Sequence, residues 1–314
     1  MDKYSISVIV LTYRKFDNLE NNLKSIMEQD FDNYEVILCD DGSPEFDEAK
    51  INDCGKGIEN LTVIHSEKNL GTVKNYNKAV KAAQGTYIVP LSQDDVFCDR
   101  NALKDIFEFF ERTGCDVFTA CSVGRSSGRV LPGEYERTLL KSGDLRKIWI
   151  RCAYANFISG SCLYYRKEYL YRMGLFDEDL YLVEDFPMVM KTLRSGEPIL
   201  LLEKTIISYG ECGVTGDSSK PSELLLRDNV KIYEKYIVPY TGEMGSSFNR
   251  KIIGWRKNRW EHFDSVSKYR PKYFDVIAWH FFTKMKSVFD KSADVNVIRY
   301  DKMFSYEERH NKNS

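Results

Sequence analysis

The sequence predicts an α/β fold: a mostly parallel sheet covered by helices on both faces, followed by a mainly helical C-terminal extension. Three observations predict it. The first half alternates β-rich runs with segments of helical periodicity. Those β-rich runs are almost continuously apolar, as expected of strands buried on both faces. After Lys220-Pro221 the character changes to helical segments rich in aromatic and basic residues. In order, ISVIVLTY reads as a strand, and Leu19, Leu23, Ile26 and Met27 then recur at helical spacing. YEVILCDDGS is a second strand ending in acids and a turn, and LTVIHS a third. NLGTVKNYNKAVKAAQG is a helix with Val73, Tyr76, Val80 and Ala83 on one face and Gly85 just past its end. TYIVPLSQDD is a fourth strand, NALKDIFEFFERTG a helix, and CDVFTACSV a fifth strand. From about residue 125 to 218 the pattern loosens into turns around SCLYYR, TIISYG and a helix from Phe186 to Arg194. SELLLRDNVKIYEKYI, RKIIGWRKNRWEHF and YFDVIAWHFFTKMKSVF are helical, and the polar tail after about 303 is expected to fray. The division expected is therefore 1–219 and 220–314.

Composition excludes several classes. At 314 residues the chain is long enough for one large or two modest domains. The 43% hydrophobic and 29% charged content is that of a soluble protein, and a net charge of −2 gives no reason to expect nucleic acid. No apolar run reaches the ~18 residues of a spanning helix. MDKYSISVIVLTYRK lacks a small-residue cleavage site and reads as a buried strand, not a signal peptide. The eight cysteines form no CxxC pair and fit reduced thiols in a cytoplasmic protein. His65, His262, His280 and His310 form no HxxxH pair, which argues against zinc.

Right-handed crossovers put successive parallel strand ends on one edge, and ligands of such sheets bind beyond that edge. Three polar clusters close those strands: Thr12-Tyr13, Asp40-Asp41-Gly42-Ser43, and Ser92-Gln93-Asp94-Asp95. Two adjacent carboxylates at a strand end either solvate a turn or hold something positive.

The stretches SVIVLTYRKFDNLENNLKSIMEQDFDNYEVILCDDGS, EKNLGTVKNYNKAVKAAQGTYIVPLSQDD, SGSCLYYRKEYL and GLFDEDLYLVEDFPMVMKTLRSG, in this order over roughly residues 5 to 210, resemble glycosyltransferase family 2. The resemblance implies a GT-A fold, a Rossmann-like mixed sheet flanked by helices. It implies an inverting transfer of a hexose or N-acetylhexosamine from a UDP-sugar to an acceptor hydroxyl, commonly with Mn2+ or Mg2+. The acceptor implied is a cell-surface glycan, lipid-linked or on a glycoprotein such as an adhesin, reached from the cytoplasm or the inner face of the membrane. The other classes considered are a non-catalytic GT-A-like partner subunit, against which intact Asp95 and Asp185 argue, and a sugar nucleotidyltransferase. The latter needs a Gly-rich basic loop after the first strand, where LTYRKFDN stands.

By that resemblance Asp95 is the metal ligand, with Asp94 and Gln93 at the donor; hard oxygen ligands suit ions that offset charge on a departing diphosphate. The plainer reading is an Asx-turn before VFCDRNAL. Asp40 and Asp41 meet the uridine, Asp41 the base; a plain Asp-Gly turn gives the same composition. Thr12 and Tyr13 line that pocket, or Tyr13 is a half-buried aromatic. Asn69, Gly71 and Lys74 face the diphosphate from a helix start, or Lys74 is a solvated helix residue. Asp185 is the general base, on the face opposite the leaving group and held ionised by the helix dipole, with Glu184 orienting acceptor or sugar; the alternative is a helix cap. Gly160 and Ser161 floor the acceptor and donor-sugar site. Trp149 reads as core. The Gly-rich YGECGVTGDSS lacks the histidine that many relatives carry at the metal, leaving Glu211, Thr215 or water. The basic aromatic C-terminal helices read three ways: a peripheral membrane contact, a homo-oligomer interface, or a subdomain with Trp inward and Lys outward.

Overall fold

The computed structural model describes residues 2–14, 16–210, 222–245 and 247–261. Among the described residues nine strands form one mixed sheet: β1 (Tyr4–Thr12), β2 (Tyr34–Asp40), β3 (Leu61–His65), β4 (Gly85–Pro90), β5 (Val96–Phe97), β6 (Val117–Gly124), β7 (Val130–Leu131), β8 (Leu163–Arg166) and β9 (Leu200–Tyr209). The helices are α1 (Leu19–Met27), α2 (Glu48–Cys54), α3 (Thr72–Ala82), α4 (Ala102–Thr113), α5 (Glu134–Lys141), α6 (Leu145–Tyr154), α7 (Lys167–Arg172), α8 (Asp185–Arg194), α9 (Glu223–Ile232) and α10 (Ser247–Glu261).

Strand order is β3-β2-β1-β4-β8-β6-β9-β5, with β7 on β6. The expected parallel half is present: β3, β2, β1 and β4 are mutually parallel. The other half is mixed, because β8 inserts antiparallel between β4 and β6 while β9 runs parallel to β6.

Alternation along the buried strands divides the core in two. Val8, Val10, Val36, Leu38, Tyr87 and Val89 face α1, α2 and α4, whereas Ile9, Ile37, Cys39 and Ile88 face α3 and α6–α8. On α4, Leu103, Ile106, Phe109 and Phe110 are buried, each contributing about 1.5–3 kcal/mol. The stretch that loosens in sequence contains two helices that its polar composition hides, α5 and α6; Trp149 lies buried in the core on α6, as expected.

The extension expected after residue 219 shares this core. Ile232, Tyr233, Ile237, Met244 and Ile253 pack in one cluster with residues of α6 and α8. The cysteines among the described residues are free thiols. Among those residues no helix is long and apolar enough to cross a membrane. The loop of Glu211 and Thr215, and the basic aromatic stretch beyond 261, lie outside the described residues.

Candidate active site

Register brings the first cluster together: Thr12 pairs with Asp40, and Asp40 with His65. Asp40 is fully buried. Its carboxylate accepts from Thr12 Oγ1 (3.0 Å), Ser43 Oγ (2.6 Å) and Ser43 N–H (2.8 Å), and pairs with His65 Nδ1 at 2.9 Å. A carboxylate offers about four acceptor positions, so all are filled. Asp40 and Thr12 thus staple three strand ends and the following turn to one another, at the strand edge where the nucleotide was expected. Phe46 stacks on His65 with ring centroids 4.0 Å apart.

Asp41 faces the other way. Oδ1 accepts from Leu70 N–H at 2.7 Å and Oδ2 from Gly71 N–H at 2.9 Å. Burial raises its carboxyl pKa, and the two N–H groups oppose the rise. At the start of α3, where Asn69 and Gly71 were expected to face the diphosphate, the Leu70 and Gly71 amides are bonded to this carboxylate. Val73 N–H donates to Tyr181 O at 3.3 Å. Gly71 has φ +89°, and a Cβ there would lie 2.6 Å from Tyr181 O. Asn69 Oδ1 accepts from the Tyr181 hydroxyl. Lys74 stands exposed one turn into the helix. Tyr13 is half-buried, with the Arg14 guanidinium 5.0 Å from its ring centroid. Arg14 itself has φ +61°, in the region most side chains avoid, and its N–H is held by Ser43 Oγ at 2.7 Å.

The second cluster follows β4. Asp95 is 3% exposed. Its Oδ2 accepts from the Ser161 hydroxyl at 2.6 Å and its Oδ1 from Gly210 N–H at 3.0 Å. Asn22 clamps the turn, donating to Ser92 O at 2.9 Å and Asp95 O at 2.7 Å. Burial pushes the Asp95 carboxyl up to about 6, against the pull of Ser161 and Gly210. Gln93 Oε1 is buried without a hydrogen-bond partner. Asp94 is half-buried; Arg125 Nη2 donates to its backbone oxygen at 2.8 Å.

The third cluster opens α8. Asp185 Oδ1 accepts from Phe186 N–H at 2.6 Å and Oδ2 from Asn156 Nδ2 at 3.3 Å. Glu184, at the cap position, makes no capping bond. The dipole expected to hold Asp185 ionised is outweighed: burial raises its pKa, opposed by N–H groups of Phe186 and Gly160. Burial, then the charge of Asp185, raises Glu184 too. The pair thus tends to retain a proton.

One short turn joins these acids. Gly160 opens a 3-10 turn, Gly160–Cys162. A Cβ on Gly160 would lie 3.0 Å from Glu184 Oε1 and 3.2 Å from Asp185 Cβ. The next residue, Ser161, is bonded to Asp95. Consecutive residues, with Cα atoms ~3.8 Å apart, touch the expected base and the expected metal ligand.

Two features escaped the sequence reading. Asp228 of α9 is 2% exposed. Its carboxylate accepts from Tyr181 N–H (2.9 Å), Leu182 N–H (2.6 Å) and Val183 N–H (3.2 Å), the residues leading into Glu184 and Asp185. The signal was an acid on the apolar stripe Leu225, Asp228, Asn229, Ile232. The second is a pocket of about 260 Å³ in which Asp185 lies with Tyr154, Asn156, Tyr233, Arg256 and Trp260.

The family described as "Glycosyl transferase family 2" matches residues 7–174. "Uncharacterized glycosyltransferase EpsJ" of Bacillus subtilis (strain 168) is 28% identical over 219 residues, 66% of this chain and 61% of EpsJ. The chain thus spans about six tenths of that relative's length. Among solved structures, S. aureus TarS 1-349 in complex with UDP-GlcNAc aligns with TM-score 0.60 and 23% identity over 83% of this chain and 73% of that one. Mannosyltransferase PcManGT from Pyrobaculum calidifontis, in complex with GDP-Man and Mn2+, aligns with TM-score 0.57 and 17% identity over 92% and 88%. These likenesses bear out the GT-A fold.

Proposed function

The chain belongs to glycosyl transferase family 2, and from that premise we propose that it moves a hexose or N-acetylhexosamine from a UDP-sugar to an acceptor hydroxyl with inversion. The acceptor we propose is a surface glycan, lipid-linked or on a glycoprotein. The observation that carries the reading is the bridge from Asp185 through Gly160 and Ser161 to Asp95. It supports one cleft with a base on one side and a leaving-group site on the other, as in-line displacement requires. Donor sugar and diphosphate lie along the turn of Gln93, Asp94 and Asp95, and the nucleotide lies toward Tyr13 and Asp41. The acceptor hydroxyl is oriented by Asp185 and passes its proton to that carboxylate as its oxygen bonds the anomeric carbon and the bond from that carbon to the diphosphate breaks, UDP leaving with the electron pair. Asn156 and the Phe186 N–H hold the carboxylate in place.

The residues fit a divalent cation. Among the described residues no three His, Cys, Asp or Glu side chains converge on one point, but Mg2+-type sites commonly combine one or two carboxylates with substrate phosphates. Asp95 retains acceptor positions beyond its two internal bonds, and its raised pKa marks a buried charge without full compensation. Mn2+ or Mg2+ held by Asp95 supplies electrostatic stabilisation of the diphosphate.

A screen of UDP release from a panel of nucleotide sugars, with Mn2+ or with chelator, tests this. The expected result is release from at least one UDP-sugar. Asp185→Asn is expected to keep UDP binding and lose turnover. No release from any donor would favour the non-catalytic partner subunit, and full activity of Asp185→Asn would remove Asp185 from the chemistry.

A further inference from the structure

Asp185 is preceded by a second acid, and the two need different protonation states. A base must start ionised, yet burial raises both carboxyl groups, and two such groups side by side hold one proton between them. The donors each receives decide which of them holds it. Asp185 accepts from Phe186 N–H at 2.6 Å and from Asn156 Nδ2 at 3.3 Å, and the Gly160 N–H acts on it as well. Glu184 stands at the cap position of α8 without making a capping bond, and the donor opposing the rise of its carboxyl is its own N–H. Hydrogen bonds to the charged form favour that form, so the negative charge settles on Asp185.

Among the described residues, the groups acting on Glu184 bring it no counter-charge. Besides Asp185 they are two buried phenols, Tyr76 of α3 and Tyr165 of β8, each held neutral first by burial, with the charge of Glu184 adding to the effect. Arg256 of α10 shares a pocket with the Asp185 carboxylate, and Glu184 does not line that pocket. Glu184 is nonetheless only half-buried, and its Oε1 lies 3.0 Å from where a Cβ on Gly160 would stand. The turn that opens at Gly160 carries Ser161 and, bonded to it, Asp95, so this oxygen lies over the floor of the proposed cleft. A protonated carboxyl there is a hydrogen-bond donor, a capacity that an ionised one lacks.

We propose that Glu184 carries the proton of this pair and donates its O–H to a hydroxyl oxygen of the sugar bound over Gly160, leaving Asp185 ionised to take the acceptor's proton. Glu184 releases no proton in the cycle; Asp185 takes one from the acceptor hydroxyl and returns it to water. The proposal rests on the reading of Asp185 as the base.

Two measurements on the full chain test it. The first needs no substrate. The infrared spectrum at neutral pH is expected to contain a protonated-carboxyl C=O band that shifts when the protein is made with isotope-labelled glutamate, stays when it is made with isotope-labelled aspartate, and is missing from Glu184→Gln. The second is UDP release from a panel of UDP-sugars with Mn2+, followed against pH. A carboxyl with a raised pKa stays neutral below that pKa and ionises above it, so turnover of the unsubstituted chain is expected to fall on the alkaline side. Glu184→Gln, which keeps a neutral donor, is expected to be slower yet to lose that alkaline fall. Glu184→Leu is expected to be at least about tenfold slower than Glu184→Gln, with UDP affinity by calorimetry unchanged in both. If Glu184→Leu misfolds, the pH profile of Glu184→Gln decides. No band that follows glutamate labelling, an alkaline fall that persists in Glu184→Gln, or equal losses in the folded Gln and Leu variants overturns the proposal while leaving the transfer reading in place. No UDP release from any donor by the unsubstituted chain would overturn that reading itself, and this one with it.

Discussion

Replacing Asp228 by alanine removes the acceptor for three consecutive backbone N–H groups, those of Tyr181, Leu182 and Val183. Each donor left buried without a partner costs about 1–3 kcal/mol. Because the three share one carboxylate, their effects do not add fully, and a total of about 3–6 kcal/mol is expected. That is a large part of the ~5–15 kcal/mol by which domains are stable. The segment released carries Asp185 at one end and Tyr181, which packs on Gly71 and bonds Asn69, at the other. A shift of ~1 Å at the reacting groups costs about 100-fold in rate, so turnover of the folded variant is expected to fall by that order. Asp228→Asn keeps one oxygen but loses the charge that strengthens such bonds, and about 1–2 kcal/mol is expected. Urea unfolding reads the stability, and UDP release per folded molecule reads the turnover. Stability within ~0.5 kcal/mol of the parent, or undiminished turnover of folded Asp228→Ala, would refute the claim that α9 positions the base.

Gly71→Ala forces a side chain onto φ +89° and to 2.6 Å from Tyr181 O; a loss of about 1–3 kcal/mol is expected, with weaker UDP binding by calorimetry. Asp40→Asn breaks a filled four-partner site and is expected to lower thermal stability by about 1–3 kcal/mol while folded protein keeps its UDP affinity. Asp95→Ala is expected to abolish the Mn2+-dependent part of UDP binding; equal affinity with and without Mn2+ in both forms would dismiss Asp95 as the ligand. For pH, burial raises the folded Asp95 carboxyl from 3.8 to about 6. Between those values the native state binds more protons than the unfolded one, so this group's contribution to stability falls as pH rises through the window. The ionised carboxylate needed by a cation appears in the same window, so Mn2+-dependent UDP binding is expected to be lost as pH drops below about 6.

Much of the fold was legible because the parallel half obeys local rules: continuous apolar strands, helices with one apolar stripe, and acids at strand ends. The pairing of Thr12 with Asp40 follows from that topology. What was not legible is what each acid touches. Nothing local distinguishes Asp40, which is saturated, from Asp41, which is not, because the partners Thr12, His65, Leu70 and Gly71 come from other elements. Helices α5 and α6 escaped because their charged faces dilute the apolar signal. The tie between the extension and the base escaped for another reason. A composition change near residue 220 looks like a boundary, whereas burial of Ile232, Tyr233 and Ile253 against α6 and α8 is a long-range fact. The buried acid on the stripe of α9 was the one local hint of it.

The pairs of adjacent acids then have a common physical account. Two carboxylates side by side repel unless donors or cations separate their roles, and the donors the protein supplies decide which oxygens remain for a ligand. Asp40 receives four partners, about the number of acceptor positions a carboxylate has, so it works as a structural anion. Asp95 receives two, from Ser161 and Gly210, and Asp185 receives Phe186 and Asn156, with the Gly160 N–H also acting on it. Each is thereby fixed in orientation yet keeps unfilled positions, which the proposed mechanism assigns to a cation at Asp95 and a proton at Asp185. Burial raises the pKa of both, which is the cost of holding such groups out of water without completing their partners. Incomplete satisfaction of two oriented acids, on either side of Gly160 and Ser161, is what sets this cleft apart from the equally acidic but fully satisfied turn at Asp40.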